Sequence, residues 1–411
     1  MARPAPVNPL RYKGFRSLWQ AQSISDFGDG LTGLALLIMV NQLTGSTAAL
    51  ATMAIMLAIP QVTLGLVAGV YVDRFDRKKI MLVSDFVRAL LVLGFVFVDS
   101  VEHLWILYGL AFLQSAVGTF FGPARGAVVA QILPKEALLA ANSITQTSRI
   151  IAGLLGASAA GVLIGTFKVY WPAFAIDAAT FIVSFLLVVL VQVPRLEPGR
   201  KAQSHSVWGS LWEGVQVIGR SRILLGTLTG AGVMMLGLGA VNILFIPLLT
   251  NDLKVPTTLF GLVQAAQTAG VILAGGLVAV LATRLRPTYM VSMGLMGMGL
   301  MVGLIALVGQ LWHVLVLLFF IGLLGAPVQA GIGTLVQTSV DDHLRGRVGA
   351  ALGAVIGSAN LVSMAFAGVL AGLIGVREVF VVAGVIAVLA GIAAFWVFGG
   401  RIAQTAVGGN T

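Results

Sequence analysis

Long apolar stretches, cut by short polar loops, recur from one end of this chain to the other. They lie near 15–42, 47–72, 80–98, 103–123, 146–165, 171–193, 223–249, 258–282, 288–308, 313–333, 348–373 and 378–398. A hydrocarbon core about 30 Å thick asks for about 20 apolar residues per helical crossing, and a helix keeps its backbone polar groups satisfied there without help. The expected class is therefore all-α, a polytopic membrane protein with about twelve transmembrane helices. Composition agrees, with 58% hydrophobic and only 10% charged residues, against about 25% charged in soluble domains. Most of the 51 glycines fall inside apolar runs, where small residues let helices approach closely in lipid.

Several chemistries are excluded or disfavoured at once. With no cysteine in the chain there is no disulfide, thiolate catalysis or sulfur-ligated metal. The histidines, His103, His205, His313 and His343, have no metal-ligand spacing, so neither a metal nor a cofactor is expected. No Walker sequence is present, which removes ATP as the energy source. A formal charge of +10 could suggest nucleic acid, but the cations are scattered among short loops, and membrane topology accounts for them better. Assigning loops alternately puts roughly 20 basic residues on one face and 3 (Lys168, Lys254 and Arg377) on the other. The rich face is the cytoplasmic one, so both termini are expected inside and the location is a bacterial inner membrane. Arg3, Arg11, Lys13 and Arg16 precede a first apolar run too long for a cleavable signal.

Between the second and third runs stands Gly69-x-x-x-Asp73-Arg74-x-x-Arg77-Lys78. This resembles the loop between helices 2 and 3 of major facilitator superfamily (MFS) transporters, with Asp76 where that family usually has glycine. The wording Asp-Arg-Phe-Asp-Arg-Lys-Lys is most similar to bacterial exporters of the enterobactin and macrolide efflux branch. The resemblance implies two pseudo-symmetric six-helix bundles, a monomer, and a gate. In that gate Asp73 would meet the start of helix 11 near Arg347 and an arginine from the cytoplasmic end of helix 4, with Arg125 first and Arg149 second as candidates. Gly69, Arg74, Arg77 and Lys78 complete it.

The residues themselves support duplication. Gly65 to Arg77 has a degenerate echo from Gly275 to Arg286, and the segment around Gly122-Pro123 parallels Ala326-Pro327. The longest polar stretch joins the halves, giving an N-terminal bundle over 1–193, a cytoplasmic linker over 194–222 and a C-terminal bundle over 223–411. Within the linker, Trp208, Leu211, Trp212 and Val215 recur at helical spacing, which predicts an amphipathic helix on the inner surface.

Charges inside the bilayer are costly and mark candidate function. Asp26 and Asp29 lie i, i+3 on one face of the first run, flanked by Gly28 and Gly30, which could loosen the helix. Two carboxylates so close disfavour joint ionisation, so one can serve as a proton carrier; the other reading is neutralisation by a basic neighbour. Asp177 is either a further proton-coupling group, a substrate contact or a structural hydrogen-bonding residue. Asp85 and Arg88 form an i, i+3 pair for which self-neutralisation is the simpler account. Arg149 needs a partner from another helix. The second half carries no embedded charge, only Asn242, Gln264, Gln267, Gln329 and Asn360, each either a substrate contact or a helix-helix hydrogen bond.

The expected function is a secondary active exporter of hydrophobic or amphipathic small molecules, coupled to protons, with membrane lipids as its surroundings. A lipid, lysolipid or small-metabolite carrier is the alternative. An intramembrane aspartyl hydrolase using Asp29 and Asp177 is a third reading, against which twelve spans in two repeats argue.

Overall fold

The computed structural model describes residues 8–193, 207–340 and 344–407. Thirteen α-helices occur among them: α1 (Lys13–Thr44), α2 (Thr47–Arg74), α3 (Arg77–Gly94), α4 (Leu104–Ile132), α5 (Lys135–Phe167), α6 (Trp171–Val189), α7 (Val207–Arg220), α8 (Arg222–Pro247), α9 (Phe260–Arg284), α10 (Pro287–Ile305), α11 (Leu311–Ser339), α12 (Arg345–Ile374) and α13 (Val376–Val407). All except α7 are long and apolar enough to cross a bilayer, giving the twelve spans expected.

Several expected boundaries shift: α11 ends at Ser339 rather than near 333 and α13 at Val407 rather than near 398, and the junction of the fourth and fifth runs moves most. Helix α4 does not stop at Pro123 but runs through it to Ile132, and α5 begins at Lys135 rather than near 146. Proline is tolerated inside a membrane helix because neighbouring groups satisfy the freed carbonyl, and a polar run such as Asn142 to Gln146 does not end a helix that has left the lipid. Arg125 and Arg149 therefore sit well inside helices, Arg149 in the middle of α5.

The chain divides into two compact units that do not follow chain order strictly. The first holds α1, α2 from Met56 onward, α3 to α6 and Pro256–Gly261; the second holds Gly45–Ile55, α7, α8, and the chain from Leu262 onward. Within the first, α1 packs on α5 and α6, and α3 on α4 and α6. Within the second, α8 packs on α12 and α13, and α10 on α11 and α13. The same four pairings are thus made twice, seven helices apart.

Glycine permits the closest of these pairings. A Cβ on Gly156 of α5 would collide with the Phe27 carbonyl of α1, and one on Gly30 with the Gly153 carbonyl. Gly28 and Gly30 are therefore contact points in an unbroken helix rather than points of loosening. A cluster of Phe15, Leu18, Val72, Met81, Val128 and Val188 closes one end of the first unit.

Short polar devices fix the ends. Asp76, the departure from the family pattern, caps α3 by accepting from the N–H groups of Lys78 (3.0 Å) and Lys79 (3.2 Å). Lys78 reaches back to donate to the carbonyls of Val189 (2.7 Å) and Val191 (2.8 Å), where the end of α6 presents free oxygens and negative dipole. In the second unit α7 seats Ile218 against Leu224, Val340 and Val348, while Trp212 and Val215 stay exposed. Trp208 and Leu211, the other members of that stripe, have side chains outside the described residues.

Candidate polar cavity of the first unit

A cavity of about 330 Å³ opens in the first unit. It is lined by Gln22, Asp26 and Asp29 from α1, Gln61 from α2, Arg88 from α3, Arg125 from α4 and Arg149 from α5. Asp26 and Asp29 lie near the middle of the 32-residue α1, where the i, i+3 relation turns both toward this space. Asp26 is 8% exposed; its Oδ1 accepts a hydrogen bond from Gln22 Nε2 at 2.8 Å, one turn earlier on the same helix. Its Oδ2 is buried and meets no donor.

Asp29 is more open, with a side chain 35% exposed, and it forms an ion pair with Arg88. Arg88 thus bypasses the intrahelical pair with Asp85 that spacing suggests. The guanidinium lies 4.1 Å from the centroid of the Phe181 ring on α6, a favourable cation-π placement. Gly118 on α4 makes this possible, because a Cβ there would press on the guanidinium. Asp85 turns instead to α6, where the Ser184 hydroxyl donates to its Oδ2 at 2.7 Å.

Asp177 is completely buried. It is held behind the cavity by the Thr180 hydroxyl, which donates to Oδ1 at 3.2 Å, and by close approach to α1 at Gly28. A Cβ on Gly28 would strike Asp177 Oδ1 and Thr180 Oγ1. Three acids from α1, α3 and α6 therefore each keep one buried oxygen without a donor: Asp26, Asp85 and Asp177.

The other expected site residues are dispersed. Arg125 and Arg149 line the cavity that contains Asp26 and Asp29. The side chains of Asp73 and Asn242 lie outside the described residues. Lys78 is engaged with the end of α6, and Arg347 forms an ion pair with Glu213 of α7. Gly69 and Arg74 lie in the last turns of α2, and Arg77 opens α3. In the second unit Gln264 and Gln329 are exposed, Gln267 is half-buried, and the Asn360 amide approaches Met364 Sδ at 3.9 Å. Among the described residues no group of acids and histidines is arranged to hold a metal ion.

Comparison with known proteins places this architecture. Residues 4–404 match the MFS family described as transmembrane secretion effector. The chain belongs to the major facilitator superfamily. Similar sequences include the MFS-type transporter YfiS of Bacillus subtilis, 31% identical over 90% of this chain and 89% of that protein. Macrolide efflux protein A of Streptococcus pyogenes is 23% identical over 90% of this chain and 92% of its own. Multidrug efflux pump Tap of Mycolicibacterium fortuitum is 26% identical over 86% and 88%. Among solved structures, a bacterial homologue of the human lysosomal transporter Spinster superposes with a TM-score of 0.74 at 14% identity, covering 95% of this chain and 97% of that one. This MFS member is an integral membrane protein and a secondary transporter.

Gln22, Phe181, Ser184 and Gly118 were not singled out by sequence reading. Gln22 was findable, being four residues before Asp26 on the same face. Ser184 and Phe181 had no local signal, because each meets a residue more than ninety positions away.

Proposed function

We propose that this transporter expels hydrophobic or amphipathic small molecules across a bacterial inner membrane by alternating access, driven by inward proton flow. What supports this reading is the cavity in which the two mid-span acids of α1, Asp26 and Asp29, face Arg88, Arg125 and Arg149. A titratable group carries protons only if water can reach it in at least one state, and Asp29 meets that condition. Similarity over most of the chain to proteins named macrolide and multidrug efflux pumps supports export and the class of cargo. Hydrolysis is disfavoured because Asp177, the second acid such a mechanism would use, is fully buried. Gly69, Asp73, Arg74, Arg77 and Lys78 remain the proposed gate, the monomer the proposed working form, and both termini are proposed to face the cytoplasm.

The test is transport in proteoliposomes with erythromycin and ethidium as probe substrates. An imposed pH gradient should accelerate flux several-fold in the parent protein. Transport of either probe at a rate that ignores the gradient would overturn proton coupling, and failure to move any member of a varied drug library would overturn the cargo class.

A further inference from the structure

A donor and an acceptor one turn apart on α3 are both buried and both unmade. Arg88 Nε has no hydrogen-bond partner, and neither has Asp85 Oδ1. Their i, i+3 spacing is the one at which an acid and a base on a helix meet, yet the guanidinium is turned to Asp29 on α1. Asp85 is 0% exposed, and a hydroxyl from Ser184 is its hydrogen-bond partner. An ionised carboxylate with no ion pair and an idle oxygen is expensive to bury, so this geometry suits an acid that keeps its proton.

We propose that Arg88 exchanges partners, bound to Asp29 in this state and to Asp85 in another, and that Asp85 is therefore a proton-releasing group of the transport cycle. The inference rests on the reading of the protein as proton-coupled. When a proton reaches the Asp29 carboxylate, an O–H bond forms there and Arg88 loses its counter-ion. The guanidinium swings one turn along α3 to Asp85, which is sealed from the cavity in the present state, and the Asp85 O–H bond breaks as its proton passes to water admitted in the second state. One proton is taken up and one is released, and the buried charge stays balanced throughout. The exchange also satisfies Arg88 Nε and Asp85 Oδ1 together.

The groups around this step come from α4 and α6, which pack on α3, and across the cavity from α1 and from Arg149 of α5. From α1 come Asp29 and Asp26; from α6 come Asp177, Ser184 and the Phe181 ring under the guanidinium. The titratable residues of α4 are Tyr108 and Arg125, of which Arg125 lines the same cavity. Gly118, also on α4, leaves the guanidinium room.

Infrared spectroscopy of the purified full-length protein at neutral pH tests the exchange without needing a substrate. The carboxylic-acid C=O band of Asp85 should appear in the difference between the parent protein and Asp85→Asn. In an Asp29→Asn background the exchange puts Arg88 on Asp85 rather than on Asp26, the other acid of the cavity, so the difference between Asp29→Asn and Asp29→Asn/Asp85→Asn should show no such band. Asp85→Glu, which keeps the acid, should move the band rather than delete it, and this variant carries the test if the amide variant fails to fold. Absence of the band in the parent, or its persistence in Asp29→Asn, overturns the exchange. Proton-driven transport by the parent protein is measured separately. If transport responds to pH and the band persists, the exchange alone fails; if transport ignores pH, the coupling reading fails whatever the spectra show.

Discussion

Asp29 is held by a cation from another helix yet remains open to water, and this combination decides how its removal should read out. Asp29→Asn should abolish transport driven by a pH gradient while sparing substrate exchange, measured as uphill flux and counterflow in proteoliposomes. An uphill flux equal to that of the parent would remove Asp29 from the coupling machinery. Gly28 is the quieter half of the site. Gly28→Ala places a methyl against Asp177 and Thr180, and overpacking of this kind costs about 1–3 kcal/mol. A fall in melting temperature, read by thermal unfolding in detergent, is expected even though the substitution adds one carbon. At this scale the sequence was half legible. Burial cost alone picked out Asp26, Asp29, Asp85, Arg88 and Asp177, because charge in lipid needs a reason. Partners were another matter: helical spacing offers Asp85 to Arg88, while tertiary packing delivers Asp29 across 59 positions.

Between elements, the contacts are made by absences as much as by side chains. Gly30 and Gly156 let α1 and α5 touch backbone to backbone, so Gly156→Leu should prise the pair apart and reduce the folded yield sharply, as fluorescence-detected size exclusion would report. The polar ends obey a different chemistry. Asp76→Ala removes an acceptor for two N–H groups of α3, a loss of about 1 kcal/mol for a helix cap, and it should lower thermal stability only slightly. Hydrophobic run length located all twelve spans, since the bilayer imposes a length no loop can meet. It misplaced the ends of α4 and α5 because those helices outlast their apolar stretch, and nothing in hydropathy records a helix that continues into water.

For the whole molecule the absence of cysteine is an experimental opportunity, since every introduced thiol is unique. Cysteines replacing Lys13 or Arg220 should react with a membrane-impermeant maleimide only in inverted vesicles, and those replacing Lys168 or Lys254 only in right-side-out cells. Labelling of both sets from one face would refute the proposed topology. The duplicated pairings of the two units, α1 with α5 and α6 and again α8 with α12 and α13, were foreshadowed by the weak echo of Gly65–Arg77 in Gly275–Arg286. In both copies the echo falls where a long apolar helix ends beside a basic turn, α2 at Arg74 and α9 at Arg284.

The connection between α4 and α5 consists of Leu133 and Pro134 alone. Ile132 and Lys135 are three Cα steps apart, a reach of at most about 11 Å, so these helices are tethered at one end although α4 packs chiefly on α3 and α5 on α1. Spin labels at the tethered ends should therefore keep a constant spacing through the working stroke, while labels at the far ends are free to part. That makes this hairpin a built-in pair of dividers, with its pivot known in advance and its opening readable as a distance.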